Sequence, residues 1–394
     1  MKQTPLQIFL RFLRFGCLAW GGPVAQIAMI KKELVEEENW ISKDQFNRAL
    51  AVYQVLPGPE AHELCVYFGM RAAGRWGGFL AGLGFMLPGF LLILLFTWLY
   101  VKFGLRSPTI LAIFAGIQVA VVALIVFAVY RIGKHAVINK KLLTIALLSA
   151  IAFLTGVHFL IVLGIAGAGY SFLRKKNIWV VISLALVLLS LISFTVYENG
   201  FNFQRNHTKH DVQLSKKDPE PVSVFVSGLK AGLLTFGGAY TAIPFIQEDA
   251  VIKNKWMTQD QFLDGIAISG VLPAPLIIFS TFVGYFGAGW WGAILITIGI
   301  FLPAFAFTLI GHSVMEKLIA NTALHNFLDG ITAGVVGLVA VTAVQLLASA
   351  VTTLPAIIIF LLCLAILIKY RSKYASVLII TGAGLFSLVW GFFS

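Results

Sequence analysis

Residues 54–78 read QVLPGPEAHELCVYFGMRAAGRWGG, and residues 270–292 read GVLPAPLIIFSTFVGYFGAGWWG. At an offset of 216, Leu56-Pro57-Gly58-Pro59 falls on Leu272-Pro273-Ala274-Pro275. One residue is then lost, and at 215 Gly69, Gly74 and Trp76 fall on Gly284, Gly289 and Trp291. Upstream the offset of 216 needs no gap. It takes Arg14 to Lys230, Gly16 to Gly232, Gly21-Gly22 to Gly237-Gly238, Glu33 to Asp249, Trp40 to Trp256 and Asp44-Gln45-Phe46 to Asp260-Gln261-Phe262. Downstream, Leu87-Pro88-Gly89-Phe90 falls on Leu302-Pro303-Ala304-Phe305. Apolar sequences match by chance at Leu and Val but not at an ordered series of Gly, Pro and Trp. The chain is a duplication.

The doubled unit is built for lipid. Of 394 residues, 59% are hydrophobic and 12% charged, against roughly 25% charged in soluble domains. A bilayer span needs about 20 mainly apolar residues. That rule places spans at 7–30, 46–70, 77–102, 108–131, 141–156, 158–173, 178–197, 222–247, 262–286, 290–312, 327–350, 354–369 and 374–393. The expected fold is an all-α polytopic bundle of about thirteen spans. The polar stretch from Glu198 to Pro221 reads as a linker. Residues 1–176 form a first repeat, 177–221 an extra helix with the linker, and 222–394 a second repeat. The net charge of +12 reads as Lys/Arg-rich cytoplasmic loops, with anionic lipid or an anionic substrate as further reasons, and not as a nucleic-acid surface. Cys17, Cys65 and Cys363 lie in apolar runs without metal spacing. Lys2, Arg11 and Arg14 precede no small-residue cleavage site, so the N-terminus reads as a retained first helix.

Loop charges orient the halves. Arg71 and Arg75 follow the second span, whereas their counterparts Phe286 and Trp290 carry no charge. Arg131, Lys134, Lys140 and Lys141 likewise face an uncharged counterpart near 349–354. Conversely, the uncharged turn near His158 corresponds to the one holding Lys369, Arg371 and Lys373. Positive residues change sides between the halves, as an inverted repeat requires. The expectation is a cytoplasmic N-terminus and an external C-terminus in the cell (inner) membrane.

Each half carries two interruptions at matching places. The first is Gly21-Gly22-Pro23, matched by Gly237-Gly238-Ala239; the second is Pro57-Gly58-Pro59, matched by Pro273-Ala274-Pro275. Paired glycines weaken a helix, and two prolines two apart remove two amide donors, so breaks are expected. Unwound backbone is tolerated at membrane depth only inside protein or beside water. Breaks recurring in both halves mark a transport site, whose free N–H groups attract an anion; tight helix packing is the other explanation. Arg14 and Lys230 share one repeat position. They either face an anion or carboxylate or snorkel to headgroups. Glu60, His62 and Glu63 follow the first Leu-Pro motif, where the second half has Leu276, Ile278 and Phe279. They are candidates for coupling or gating, with a satisfied buried histidine and a capping glutamate as the alternative. Glu33 and Asp249 pair with the basic residues, gate access, or lie on the surface. Asp44 and Asp260 read as helix-start residues.

Position 66 is Val, so His62 lacks the second histidine of a zinc hydrolase. No Gly-Lys-Ser or Gly-Lys-Thr closes a phosphate loop. Movement of a solute would therefore run on an ion gradient or on the solute's own gradient. No cofactor or metal is expected.

The blocks WGGPVAQIAMI, QVLPGPEAHELCVYFGMRAAGRWGG, FGGAYTAIPFI, WMTQDQFLDG and GVLPAPLIIFSTFVGYFGAGWWG resemble the chromate ion transporter family in its long, two-domain form. The resemblance implies export of chromate from the cytoplasm, with sulfate, a tetrahedral dianion of similar size, as the competing substrate. A membrane-embedded hydrolase using His62 and Glu63 is the reading from a different class. The partners implied are a chromate- or sulfate-like oxyanion, the lipid bilayer and a proton or other coupling ion, with a homodimer left open.

Overall fold

The computed structural model describes residues 3–103, 108–199, 220–236, 238–310, 322–370 and 374–393, and every regular element among them is helical. In the first half these are α1 (Pro5–Cys17), α2 (Gly22–Ile30, prolonged by a π-helical stretch Lys31–Glu37), α3 (Lys43–Val55), α4 (Glu60–Phe103), α5 (Pro108–Ala136), α6 (Lys140–Leu154) and α7 (Phe159–Arg174). An extra helix α8 (Ile178–Asn199) follows. The second half has α9 (Pro221–Leu233), α10 (Ile243–Gln247, prolonged by a π-helical stretch Glu248–Lys253), α11 (Gln259–Val271), α12 (Phe279–Leu309), α13 (Thr322–Ala350), α14 (Leu354–Lys369) and α15 (Ala375–Phe393).

The repeat reappears as geometry. Capping boxes start α3 at Ser42–Gln45 and α11 at Thr258–Gln261. The residues just upstream, Asn39 and Lys255, both have positive φ. The Trp40 amide donates to the Leu34 carbonyl at 2.8 Å, and the Trp256 amide to Ala250 at 2.7 Å.

Segments 7–30, 46–70, 222–247 and 262–286 were expected as single spans. Each is instead a pair of short limbs that folds back on itself. Arg14 bonds Glu33 although 19 residues separate them, and a straight helix would hold them about 28 Å apart. Lys230 and Asp249 form the equivalent ion pair. Phe46 and Phe68 have ring centroids 6.4 Å apart, where a continuous helix would place them roughly 33 Å apart. A 13-residue limb such as α1 or α3 is about 20 Å long, too short for a hydrocarbon core of about 30 Å. Limbs this short fit a re-entrant path better than a crossing, and unwound backbone at their tips is tolerated only beside protein or water.

A second reversal lies inside α4 and α12. Ala73-Gly74 and Ala288-Gly289 are non-helical, with Gly74 at φ 67° and Gly289 at φ 59°, a region only glycine enters without strain. Limb 60–72 therefore folds back onto limb 75–103. Gly69 and Gly77 touch so closely that a methyl on either would strike the other's carbonyl, and Gly284 and Gly292 repeat the contact. Thr281 and Thr297 share a hydrogen bond of 2.6 Å across the second reversal. Trp76 and Trp291, beside the two turns, are 73% and 70% exposed, positions suited to an aromatic anchor at the lipid headgroups.

Five described helices are long and apolar enough to cross a bilayer unaided: Glu60–Phe103, Thr109–Ala136, Ile178–Tyr197, Leu276–Leu309 and Leu324–Ala350. Shorter apolar helices accompany them at Phe159–Arg174, Pro221–Leu233, Leu354–Lys369 and Ala375–Trp390. The chain is a helical membrane protein.

The compact units do not coincide with the sequence repeats. One unit comprises 1–124, 213–312 and 350–394; the other comprises 125–212 and 313–349. Within the first, α1 lies on the long limb of α4, with Gly84 against the Phe9 carbonyl, and α9 lies on α12, with Gly299 against the Phe225 carbonyl. The long limbs of α4 and α12 run antiparallel, Gly78 meeting Leu309 and Gly82 meeting Phe305. The start of α5 packs on α15 through Gly116 and Ala383. Within the second unit, α13 packs on α6 and α7 through Gly337 against Ala146 and Gly330 against Ala166. Helices α5 and α13, which hold equivalent places in the two halves, thus pack on late helices of the other half. Small residues dominate these contacts because lipid offers no hydrophobic gain for helix association, so backbones must approach closely.

Candidate functional site

Two ion-pair clasps close the first hairpin of each half. The Arg14 guanidinium donates to Glu33 at 3.1 Å. Arg11 reaches Glu33 at 3.4 Å, bonds Glu38 as well, and lies 5.1 Å above the Trp40 ring. Lys230 pairs with Asp249. Each basic residue singled out in the sequence is therefore partnered by the acid at the matching repeat position. The two differ in setting: the Arg14 side chain is 63% exposed and that of Lys230 23%.

At the tips of these hairpins the helices start without side-chain caps. Gly21 precedes α2 at φ 87°, Gly22 has φ 77°, and Pro23 occupies the first turn. Gly238, at φ 118°, precedes a short 3₁₀ turn that begins at Ala239; Gly237 lies outside the described residues. Nothing lies within 4 Å of a β-carbon placed on Gly22 or Gly238. Both glycines border open space, and neither helix end has a side-chain cap; Pro23 has no N–H, so the donor beyond Gly22 is the Val24 amide. Such ends offer donors and partial positive charge to an anion.

The Pro-x-Pro breaks are closed. The Gly58 amide donates to the Thr235 carbonyl at 2.9 Å, so one half's second break is tied to the other half's first. The Gln26 amide links the other pair of breaks, donating to Ala19 at 2.9 Å and to Ala274 at 3.1 Å. The packing is reciprocal. A β-carbon on Gly58 would lie 3.3 Å from Ala304, and the Ala274 methyl presses on Gly89. Pro57, Pro59, Pro273 and Pro275 keep these bent segments out of helix, since none can donate to one.

Beside Gly58 sit the ionisable residues of the first half. The Glu63 carboxylate would be 2.8 Å from a β-carbon on Gly58. It is fully buried, and neither of its oxygens has a hydrogen-bond partner among the described residues. His62 is fully buried with its ring centroid 4.8 Å from Phe301 and 4.7 Å from Phe305. Glu60, at the first turn of α4, is half-buried. Among the described residues no group of three His, Cys, Asp or Glu side chains is placed to hold a metal ion.

Sequence reasoning missed Gln26, Thr235 and a polar cluster in which Tyr100 and Gln118, both half-buried, reach the buried Asp264. Asp264 carried a signal, as an acid inside an apolar helix. Gln26 and Thr235 carried none.

The comparisons with known proteins bear on these paired breaks. A chromate transporter family model matches residues 6–172 and again 222–388. This chain belongs to the chromate transporter family. Its two matched copies carry the two sets of breaks described above. A chromate transport protein of Pseudomonas aeruginosa is 49% identical over 96% of this chain and 91% of its own length. A second, from Cupriavidus metallidurans, is 30% identical over 98% and 93%. An uncharacterised transporter of Methanocaldococcus jannaschii is 28% identical over 99% and 94%. No solved structure matches the chain. As a chromate transporter family member with these apolar helices, the protein is a multi-pass membrane protein.

Proposed function

We propose that this protein is a secondary active transporter that exports chromate, or a sulfate-like oxyanion, from the cytoplasm by alternating access between inverted repeats. The inner membrane would hold it with the N-terminus cytoplasmic and the C-terminus outside. The observation that carries the reading is the mutual engagement of breaks: Gly58 with Thr235, and Ala274 with Gln26 and Ala19. A break in one half cannot move without disturbing the other, which is what rocking about a shared site demands. Antiparallel packing of the equivalent limbs of α4 and α12 supports inversion, as do the loop charges.

The residues divide by role. Gly21, Gly22, Pro23, Gly238 and Ala239 form the open, uncapped ends that receive the oxyanion, and Gly237, outside the described residues, shares that role by its place in the repeat. Pro57, Gly58, Pro59, Pro273, Ala274 and Pro275 form the packed crossing. Arg14 and Lys230 offset the substrate's charge from clasps whose acids, Glu33 and Asp249, exchange with it. Glu63 over Gly58, with Glu60 and His62, gates the first break. The protein carries out transport rather than covalent chemistry, and chromate and sulfate compete for one site.

Purified protein in liposomes tests this through radiolabelled chromate flux, with and without an imposed pH gradient and with excess sulfate. Saturable flux that sulfate inhibits is expected. Flux no greater than in empty liposomes overturns the reading.

A further inference from the structure

The roles above leave Asp264 unused, yet both of its carboxylate oxygens accept side-chain hydrogen bonds from other helices. The residue is 1% exposed. The Tyr100 hydroxyl donates to Oδ2 at 2.7 Å, and the Gln118 amide donates to Oδ1 at 2.8 Å. The same amide lies 3.4 Å from the Asp260 carbonyl, which fixes its N–H groups toward the carboxylate. The three side chains come from α4, α5 and α11 and border a cavity of about 560 Å³, shared with Asp260, Phe114 and Phe286.

Among the described residues no Lys or Arg forms an ion pair with Asp264. The groups facing it are Tyr100 from α4, Gln118 from α5, the Phe282 and Phe286 rings of α12 beside Tyr100, and Asp260 on its own helix. Helix α15, which meets α11 at Ile380 and Gly270, bears no ionisable side chain. Arg106 lies outside the described residues.

A carboxylate without a cation inside an apolar membrane protein is costly and marks function. The ligand it suits follows from its neighbours. A metal cation needs several convergent oxygens, but here an O–H and an N–H point their hydrogens at the carboxylate. A proton needs one lone pair, and the cavity admits water to deliver it. Protonation at Oδ2 removes one negative charge and turns Tyr100 from donor to acceptor. That loosens the tie between α4 and the helix that ends, about 12 Å further on, at the Leu272-Pro273-Ala274-Pro275 break. The repeat places Arg48 where Asp264 stands, so the site occurs once per chain.

We propose that Asp264 is the proton-binding carboxyl of the transport cycle, loaded through the cavity that Tyr100 and Gln118 border. Its link to anion movement rests on the transport reading, whereas proton binding itself does not. Liposomes bearing the protein are adsorbed on a sensor membrane and given a pH jump with no oxyanion present. The wild type and Asp260→Asn should give a transient charge displacement, Asp264→Asn should reduce it at least fivefold, and Asp264→Glu should restore it. A full-sized transient in Asp264→Asn, or its loss in Asp260→Asn instead, overturns the proposal. Should Asp264→Asn not fold, Tyr100→Phe must shift the pH midpoint of the transient, and an unmoved midpoint overturns it equally. In parallel, Asp264→Asn should retain labelled-chromate counterflow while losing accumulation driven by a pH gradient; accumulation at the wild-type level refutes the coupling role. An Asp264-dependent transient in a protein that moves no chromate sinks the transport reading and leaves the proton site standing.

Discussion

The reciprocal packing of the second breaks can be tested by exchanging one methyl group. In the first half Gly58 faces Ala304; in the second, Ala274 faces Gly89. Each crossing holds one glycine and one alanine, with the order reversed. Gly89→Ala puts two methyl groups at one crossing. The new carbon would meet the Ala274 methyl far inside the normal carbon–carbon distance of about 3.5–4 Å, so the segments must separate by an ångström or more. Overpacking of this kind costs about 1–3 kcal/mol. Gly89 lies within α4 and shows no positive φ, so alanine also gains about 1 kcal/mol of helix propensity. The net single-mutant effect is therefore small, and a double-mutant cycle isolates the clash. Ala274→Gly removes the opposing methyl, and the double variant reproduces the arrangement of the first half with its residues exchanged. The coupling free energy should be favourable by about 1–3 kcal/mol, within the range for residues in direct contact. Thermal unfolding of the four proteins in one detergent, read alongside chromate flux, measures it. Additive effects, with Ala274→Gly failing to improve Gly89→Ala, would refute the crossing.

Three further outcomes follow from named contacts. Gln26→Leu leaves the Ala19 and Ala274 carbonyls without their donor and should cost about 1–3 kcal/mol, seen as a lower melting temperature with flux reduced in proportion; an unchanged melting temperature removes Gln26 from the crossing. Asp249→Asn strips Lys230 of its carboxylate in a mostly buried clasp, whereas Arg14→Gln removes a largely exposed guanidinium and leaves Glu33 its Arg11 partner. The first should destabilise by about 1–3 kcal/mol and the second by less than about 1 kcal/mol, and the reverse order in a melting assay contradicts the assignment. Gly22→Ala enters open space at a positive φ, so it should cost only about 1–2 kcal/mol of backbone strain yet weaken chromate binding at least tenfold; unaltered binding excludes that helix end as the anion site.

The sequence disclosed the duplication and all four breaks because glycine and proline are set apart by their backbone chemistry, and tryptophan by its large side chain, so none interchanges freely. It did not disclose that the broken stretches fold back. A mainly apolar stretch such as 7–30 satisfies the length rule whether it runs straight through the bilayer or enters and returns. The residues that distinguish the two, Arg14 with Glu33 and Lys230 with Asp249, were visible as matched charges, but their partnership depends on the turn between them. Gly58 and Ala274 read as sources of bare amides. The Gly58 amide is instead occupied by Thr235, because a glycine that permits close approach admits a neighbouring carbonyl as readily as a ligand. The cluster at Asp264 stayed hidden for a different reason. Its partners are 164 and 146 residues away, and the repeat offered no guide, since Arg48 and Ala333 occupy the matching positions of Asp264 and Gln118.

The central claim is that an oxyanion is held by the uncapped helix ends at the glycine breaks. The anomalous signal of chromium from crystals grown with chromate locates the ion without reference to any transport assay. The account predicts a peak within hydrogen-bond reach of the Val24 amide, the first donor beyond Gly22 because Pro23 has none, or of the amides that follow Gly238. A peak confined to the cavity beside Tyr100, or no ordered chromium in protein that transports chromate, would contradict it.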